Sequence, residues 1–510
     1  MPIKNVARIL GLCALIACTV PTHAQLLPAK PDALYSAVLK EARPIEVYLP
    51  KESEKDSTDR FETLYVLDGD WNAALVVNVV TFMRQVGVMP AVIVVSVPNV
   101  FDEHGVNSRD RDLTPTVVAG QPRSGGAANF LAFLKTELVP YIDQRYPTNH
   151  VHLVHGHSFG GTFLLYALMH EPQLFNGYVI LDPAMWWDNH TLDAVLDAGL
   201  AGVPAVGKAI YIGARGGDAF KYMGSATIEP IFEHKAPADL HWKLAQYAGE
   251  SHDSLKLKGT YDALRFVYGG FTTDTFELVP GNGIVVKGRP VLVKIDGDAE
   301  VFDMHYSTDG SVPTSASPKA TDGTFAVSDP QKTTLKLLSN RGVFDRVIPI
   351  NLKSGNVLPP PRAAGAKTDA WHAAFYPLEA WPDLKRAKAF KNVDADKTLD
   401  LAGVGRDAFA ASVERNLDIP ADGYYLIAAA ASDKQRLYLA GRLLIDNDGT
   451  KGHPQQTYIV PLQRGVYPLR MEFQRAKQGS DAELAVFQCH DGKPECWKNE
   501  LFKVSSRGPN

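Results

Sequence analysis

From about residue 30 to 272, short apolar runs alternate with longer stretches in which apolar residues recur every three or four positions. Leu64-Tyr65-Val66-Leu67 and Ala91-Val92-Ile93-Val94-Val95-Ser96-Val97 are nearly continuous apolar runs rich in β-branched residues, as strands buried on both faces require. Val151–Val154, Tyr178–Leu181 and Ala209–Ile212 continue the series. Between them, Ala128 to Ile142 places Phe130, Leu131, Phe133, Leu134, Leu138 and Ile142 on one helical face. This alternation predicts an α/β domain with a mostly parallel sheet covered by helices on both sides.

The pattern changes after Gly269-Gly270. From about 280 to 353 the runs are short and alternating: Val291–Ile295, Thr333–Leu338 and Arg346–Ile350, separated by turn signals such as Thr308-Asp309-Gly310. They predict a small β-sandwich. Residues 354–364, with Ser354-Gly355-Asn356 and Pro359-Pro360-Pro361, read as a stiff linker. A third body, 365–505, is again built of short strands, among them Gly423–Ile427, Arg436–Leu439 and Thr457–Val460. The predicted fold is therefore an α/β domain followed by two all-β domains.

Composition narrows the class. The chain has 510 residues, 45% hydrophobic and 21% charged, with 52 basic against 57 acidic side chains and a net charge of -5. No long single-sign run occurs, which argues against a nucleic-acid footprint. Beyond the first residues no apolar stretch approaches the ~20 needed to span a bilayer, so no transmembrane segment is expected.

Residues 1–24 carry Lys4 and Arg8, an apolar run from Ile9 to Ala17, and Thr22-His23-Ala24 after the helix breaker Pro21. That is the form of a cleaved secretory signal, and it predicts a periplasmic or secreted protein. Leu15-Ile16-Ala17-Cys18 also resembles a lipobox, which would leave the chain lipid-anchored at Cys18. Cleavage after Ala24 leaves two cysteines, Cys489 and Cys496, a close pair expected to form a disulfide in an exported protein.

The strongest chemical signal is Gly156-His157-Ser158-Phe159-Gly160-Gly161, set between a strand and a helical run. Strand, glycine-rich turn and helix make a nucleophile elbow that presents the Ser158 hydroxyl at the carboxyl end of the sheet. The Phe159 N–H, at the start of that helix, is the first candidate donor to an oxyanion; a second is expected from Gly69 or Asp70 in Asp68-Gly69-Asp70-Trp71. A serine needs a base, and the chain order Ser, acid, His points to His252, within Gly249-Glu250-Ser251-His252-Asp253-Ser254. His234 and His241 are weaker competitors. Asp218, after the run Ala209–Ile212, is the expected acid. Asp182, after the preceding strand, is its rival, with Glu233 a further carboxylate. Trp186-Trp187 could equally line a cleft or pack in the core. His152, His155 and His157 do not suit a metal, because strand alternation turns His152 away from the other two. Asp446-Asn447-Asp448-Gly449 lacks the later ligands of a calcium loop. No metal or organic cofactor is expected.

Four segments carry a family resemblance: Tyr65–Gly69, Arg109-Asp110-Arg111-Asp112-Leu113-Thr114-Pro115, Gly156–Gly161 and Glu250-Ser251-His252. Through them, residues 35–270 resemble the "Putative esterase" family of α/β-hydrolases, which holds esterase D, feruloyl esterases and ferric-enterobactin esterases. The resemblance implies that Ser158 is the nucleophile and His252 the base. The segment with Arg109 and Arg111 resembles the siderophore-esterase branch, where it lies near the active-site mouth; the bland alternative is a salt-bridged capping loop. Residues 280–353 resemble the chitobiase carboxyl-terminal sandwich through Tyr306–Thr314. Residues 365–480 resemble a PA14 domain through Leu417–Tyr425, Leu437–Leu439, Leu444–Asp446 and Gly465–Leu469. The acidic pair of calcium-dependent sugar-binding PA14 members is reduced here to Asp433.

The function expected from these features is an exported serine carboxylic-ester hydrolase. Two glycan-associated modules favour an acetyl or feruloyl ester on carbohydrate as substrate, with polysaccharide bound through the C-terminal domains. The alternatives are a siderophore esterase and, from a different class, a non-catalytic glycan-binding protein on a hydrolase scaffold.

Overall fold

The computed structural model describes residues 28–54, 58–296, 302–362, 370–395, 404–431, 433–447, 455–476, 482–489 and 500–505. The signal segment with Cys18, the residues 363–364 and Cys496 lie outside the described residues. Two compact units are present. Among the described residues, one holds 28–274 together with Ser339–Asp345; the other holds Thr275–Leu338 and those that follow from Arg346.

The first unit is built on an eight-stranded sheet in the order β1-β2-β4-β3-β5-β6-β7-β8. Its strands are β1 (Lys30–Ser36), β2 (Glu41–Tyr48), β3 (Phe61–Leu67), β4 (Val92–Val97), β5 (Thr148–His157), β6 (Gly177–Leu181), β7 (Ala209–Arg215) and β8 (His241–Tyr247). Strands β3 to β8 are mutually parallel, and β1 and β2 form an antiparallel edge. Alternate residues of one strand enter different cores. Leu64 and Val66 pack with the helices Gly69–Gln85 and Leu255–Val267, whereas Tyr65 and Leu67 pack with Ala127–Phe133, Phe159–His170 and Ser225–Lys235. Burial on both faces is why these strands read as unbroken apolar runs. The helix expected over Ala128–Ile142 runs from Ala127 to Arg145 with a π-helical turn at Leu134–Leu138.

A buried ion pair also belongs to this unit. Arg341 forks onto Glu62 at 2.9 and 3.0 Å, and the Tyr268 hydroxyl donates to the same carboxylate at 2.9 Å. Both charged side chains are buried.

The second unit is all β. Glu277–Val279, Val291–Asp296 and Thr324–Val327 form one three-stranded sheet, and Asp303–Ser307, Thr334–Leu338 and Arg346–Ile348 another. Val293, Phe325, Met304, Leu335 and Leu337 are among the residues in the core they share. Two six-stranded sheets follow, and the core containing Trp371, Phe409, Tyr425, Val460 and Phe473 draws on both. Strand Gly423–Ala431 sends Tyr425 and Ile427 into that core and Tyr424 and Leu426 into the other. Strand Asn282–Val285 pairs in parallel with Asn351–Ser354 on one side and with Gln455–Leu462 on the other. Leu358 exchanges backbone hydrogen bonds with Pro461 and Gln463 at 2.9 and 3.0 Å. Asp446 pairs with Arg436 at 3.2 Å, while Asp448 and Gly449 lie outside the described residues.

Candidate active site

β5 ends at His157, and the chain turns at Ser158 into the helix Phe159–His170. Ser158 has φ 59° and ψ -120°, a conformation an L-residue adopts only when its surroundings impose it. The glycines around it explain how. A Cβ on Gly156 would lie 2.6 Å from the carbonyl carbon and oxygen of Gly160, and one on Gly161 would press on Pro183 at 3.2 Å. Strand and helix therefore pass closer than side chains permit. The Ser158 N–H donates to Leu181 O at 2.9 Å, anchoring the turn to β6.

Two helix N-termini meet here, because β3 and β5 are neighbours. Phe159 opens one helix, and Gly69 and Asp70 open the other, so their N–H groups have no acceptor within the helix. Space on Gly160 ends at Asp68 Oδ2, 3.4 Å from a Cβ built there.

His252 lies in the loop after β8. The Ser251 and Ser254 side chains bond each other's backbone N–H at 3.0 and 2.8 Å, which stiffens the turn. The His252 Nδ1–H donates to Asp182 Oδ2 at 2.6 Å. Asp182 follows β6 directly, is fully buried, and takes a positive φ of 41°. Arg215, the last residue of β7, donates through Nε to the same oxygen at 2.6 Å and through its backbone N–H to Oδ1 at 3.2 Å. Burial alone would raise the Asp182 pKa, but the hydrogen bonds from His252 and Arg215 outweigh it and hold the carboxyl below its ordinary value.

This corrects the expected acid. Asp218 is exposed at the first position of a short helix, Asp218–Tyr222. Strand β7 supplies Arg215, a cation that braces the carboxylate, whereas the carboxylate itself directly follows β6, the neighbour of β5. His234 bonds the Pro230 carbonyl of its own helix at 2.6 Å, and His241 is exposed on β8.

The two arginines of the 109–115 segment separate. Arg109 forks onto the buried Asp68 at 2.8 and 3.0 Å, and its Nη2 lies 3.4 Å from the His157 carbonyl. Its guanidinium stands over the rings of Trp71 and Phe159 at 5.3 and 5.1 Å. Arg111, expected to bind substrate, instead closes a ring of charges with Glu41, Asp112 and the buried Arg43. Its Nε donates to Asp112 and its Nη1 and Nη2 to Glu41, while the side chain stays 37% exposed. The tryptophans also separate. Trp186 is 38% exposed and Trp71 55%, and the Trp186 ring lies 5.8 Å from that of Phe159. Trp187 is buried and its indole N–H is bonded to Thr116, so it is a core residue and not a cleft wall.

The three histidines of β5 have separate partners. His152 pairs with Asp143 at 3.4 Å, and His155 bonds Thr260 Oγ1 at 3.0 Å. His157 bonds the His252 carbonyl at 2.7 Å. Among the described residues no group of three or more His, Cys, Asp or Glu is placed to hold a metal ion. Cys489 ends a buried strand, but its expected partner lies outside the described residues. No helix among the described residues is long and apolar enough to cross a membrane.

Sequence reasoning missed Arg215, Asp68 and the side chain of Trp71. The available signal was position: each stands at, or just beyond, the carboxyl end of a predicted strand.

Residues 36–224 match the family described as "Putative esterase", and residues 373–496 match the PA14 domain. The siderophore triacetylfusarinine C esterase of Aspergillus fumigatus is 35% identical over 83 residues, 16% of this chain and 28% of its own. The ferri-bacillibactin esterase BesA of Bacillus subtilis is 26% identical over 163 residues, 29% of this chain and 56% of its own. The chain thus spans between a quarter and three fifths of these curated relatives. A solved IroE-like serine hydrolase from Shewanella oneidensis is 28% identical, with a TM-score of 0.44 over 48% of this chain and 82% of that one.

Proposed function

We propose that this chain, an esterase-family segment followed by a PA14 domain, is a serine ester hydrolase whose substrate is a siderophore-type ester. The observation that carries the hydrolase reading is the 2.6 Å bond from His252 Nδ1 to a buried, doubly braced Asp182, next to the strained elbow at Ser158. In this mechanism Ser158 Oγ attacks the ester carbonyl as His252 Nε2 takes its proton. Asp182 holds the imidazole in the Nδ1–H tautomer. The Phe159 N–H, with that of Gly69 or Asp70, receives the oxyanion. His252 then protonates the leaving alkoxide, and water attacks the acyl-serine by the same route.

The substrate class is supported by the names of the curated relatives, which favour a siderophore ester over the carbohydrate ester expected from the sequence. Arg109, forked onto Asp68, stands over Trp71 and Phe159, and Phe159 meets Trp186; this aromatic rim suits a flat aromatic group on the substrate. The PA14 match supports a second reading, an ester on a glycan held by the C-terminal unit. There, a cavity of about 480 Å³ is lined by His372, Glu414, Asn416, Tyr438 and Arg470 among others. We also propose export, from the form of residues 1–24.

The test is hydrolysis of ferri-bacillibactin and triacetylfusarinine C, against acetylated xylan and a feruloylated arabinoxylan oligosaccharide, with products followed by mass spectrometry. Siderophore cleavage abolished in Ser158→Ala supports the proposal. Cleavage of the glycan esters alone would move the substrate to the second reading, and equal activity of wild type and Ser158→Ala would end the serine mechanism.

A further inference from the structure

His157 is not required by the triad, yet it meets the base at both its ring and its main chain. Its ring is buried and lies 4.2 Å from the His252 ring, centroid to centroid. Its Nε2 is 2.7 Å from the backbone carbonyl oxygen of His252. A carbonyl only accepts, so Nε2 must carry the proton. Burial, and next the neighbouring His252, pull the His157 pKa down to about 3, so the ring is neutral and its single N–H is committed to that carbonyl.

From this geometry we infer that His157 is a positioning residue: it clamps the His252 main chain and covers one face of its imidazole, fixing the base over the nucleophile. The inference rests on the hydrolase reading above. Its logic is that the base sits on a loop, and loops move more than the elements they connect. Asp182 fixes the ring through Nδ1, which still allows rotation and sliding about that bond. A second hold, on the carbonyl of the same residue, removes that freedom. Because His157 immediately precedes Ser158, the holder of the base and the nucleophile are consecutive residues of one strand end. Any displacement of the elbow therefore moves both partners together. The residue must stay neutral to do this, since a charged His157 would repel the imidazolium that forms on His252 during the reaction.

The experiment compares His157→Gln, His157→Leu and His157→Asn in the full chain, with Ser158→Ala alongside. Gln Nε2 reaches about as far as His Nε2 and can donate to the carbonyl. Leu fills similar space without a donor, and Asn carries its amide too short. The readouts are kcat and KM on p-nitrophenyl acetate, the melting temperature, and the downfield proton resonance of the His252 Nδ1–H. The expected result is a fall in kcat of about 10²-fold in Leu and Asn at nearly unchanged KM, with broadening of that resonance. Gln should recover most of the rate. If Leu does not fold, the Gln–Asn comparison carries the same information. Rates equal to wild type in folded Leu or Asn, or a Gln variant no better than Asn, overturn the inference. Activity surviving in Ser158→Ala would instead remove the hydrolase reading beneath it.

Discussion

Asp182→Asn keeps the size of the buried acid and changes only its hydrogen-bonding capacity. Asp182 receives three donors: His252 Nδ1–H and Arg215 Nε–H on Oδ2, and the Arg215 N–H on Oδ1. An amide has one accepting oxygen. If that oxygen takes the Oδ2 position, the NH2 faces the Arg215 backbone N–H, donor against donor. If it is flipped, the NH2 faces both His252 and the Arg215 guanidinium. The flipped state favours the His252 tautomer with its proton on Nε2, which cannot accept a proton from Ser158. In a Ser-His-Asp arrangement such a substitution lowers kcat by about 10⁴-fold. That corresponds to about 5.4 kcal/mol of transition-state stabilisation. The assay is p-nitrophenyl acetate hydrolysis by the full chain, with the melting temperature measured in parallel to separate lost catalysis from lost fold. Asp218→Asn, at an exposed position, should stay within about 0.5 kcal/mol of wild-type stability and retain wild-type kcat. The reasoning fails if Asp218→Asn loses the activity and folded Asp182→Asn keeps it.

Arg341→Met should destabilise the protein by about 3–5 kcal/mol in chemical denaturation, because it leaves the buried Glu62 unpaired; Glu62→Gln added to it should return part of the loss. His155 and His157 are held neutral by burial, with pKa values lowered to about 4 and about 3. The unfolded chain therefore binds more protons between pH 6.5 and 4, and stability should be fully present above pH 6.5 and decline as pH falls through that window. The slope approaches about 1.4 kcal/mol per pH unit for each histidine. Thermal melts across pH 7 to 4 should show a shallower decline in His155→Gln than in wild type. Trp186→Ala should raise KM for an aromatic ester while leaving the melting temperature nearly unchanged. Trp187→Ala should instead cost about 3–5 kcal/mol of stability, a contrast that a melt and a Michaelis–Menten curve on each variant would expose.

The sheet was legible because its strands are buried on both faces, which leaves unbroken apolar runs, and the elbow because glycine spacing is dictated by how closely β5 and its helix pass. The acid was not. Asp182 and Asp218 both follow apolar strands, and nothing local distinguishes them. Lateral position decides: β6 borders β5, the strand that ends at the Ser158 elbow, and Asp182 turns at once into a positive φ, whereas Asp218 lies three residues past β7 behind two glycines. The role of Arg111 was obscured for a related reason. Glu41 and Arg43, which complete the ring, lie about seventy residues earlier, so only Asp112 of that ring stands within the segment. The C-terminal strands were visible as alternation, but alternation does not say which sheet a strand joins. Gly423–Ala431 reads as apolar throughout because it serves two cores at once.

Strand Asn282–Val285 has a consequence for the order in which the chain can assemble. One of its neighbours, Gln455–Leu462, is made much later: the hydrogen bond from Gly281 to Thr457 spans 176 residues. At about 5–20 residues per second of synthesis, that edge waits on the order of 10–40 s for its partner. During that interval it offers unpaired N–H and C=O groups to any other strand that meets it. The last stretch of the chain therefore acts as the closing seam of the C-terminal unit, and early termination anywhere before Gln455 would release a chain with an open sheet edge.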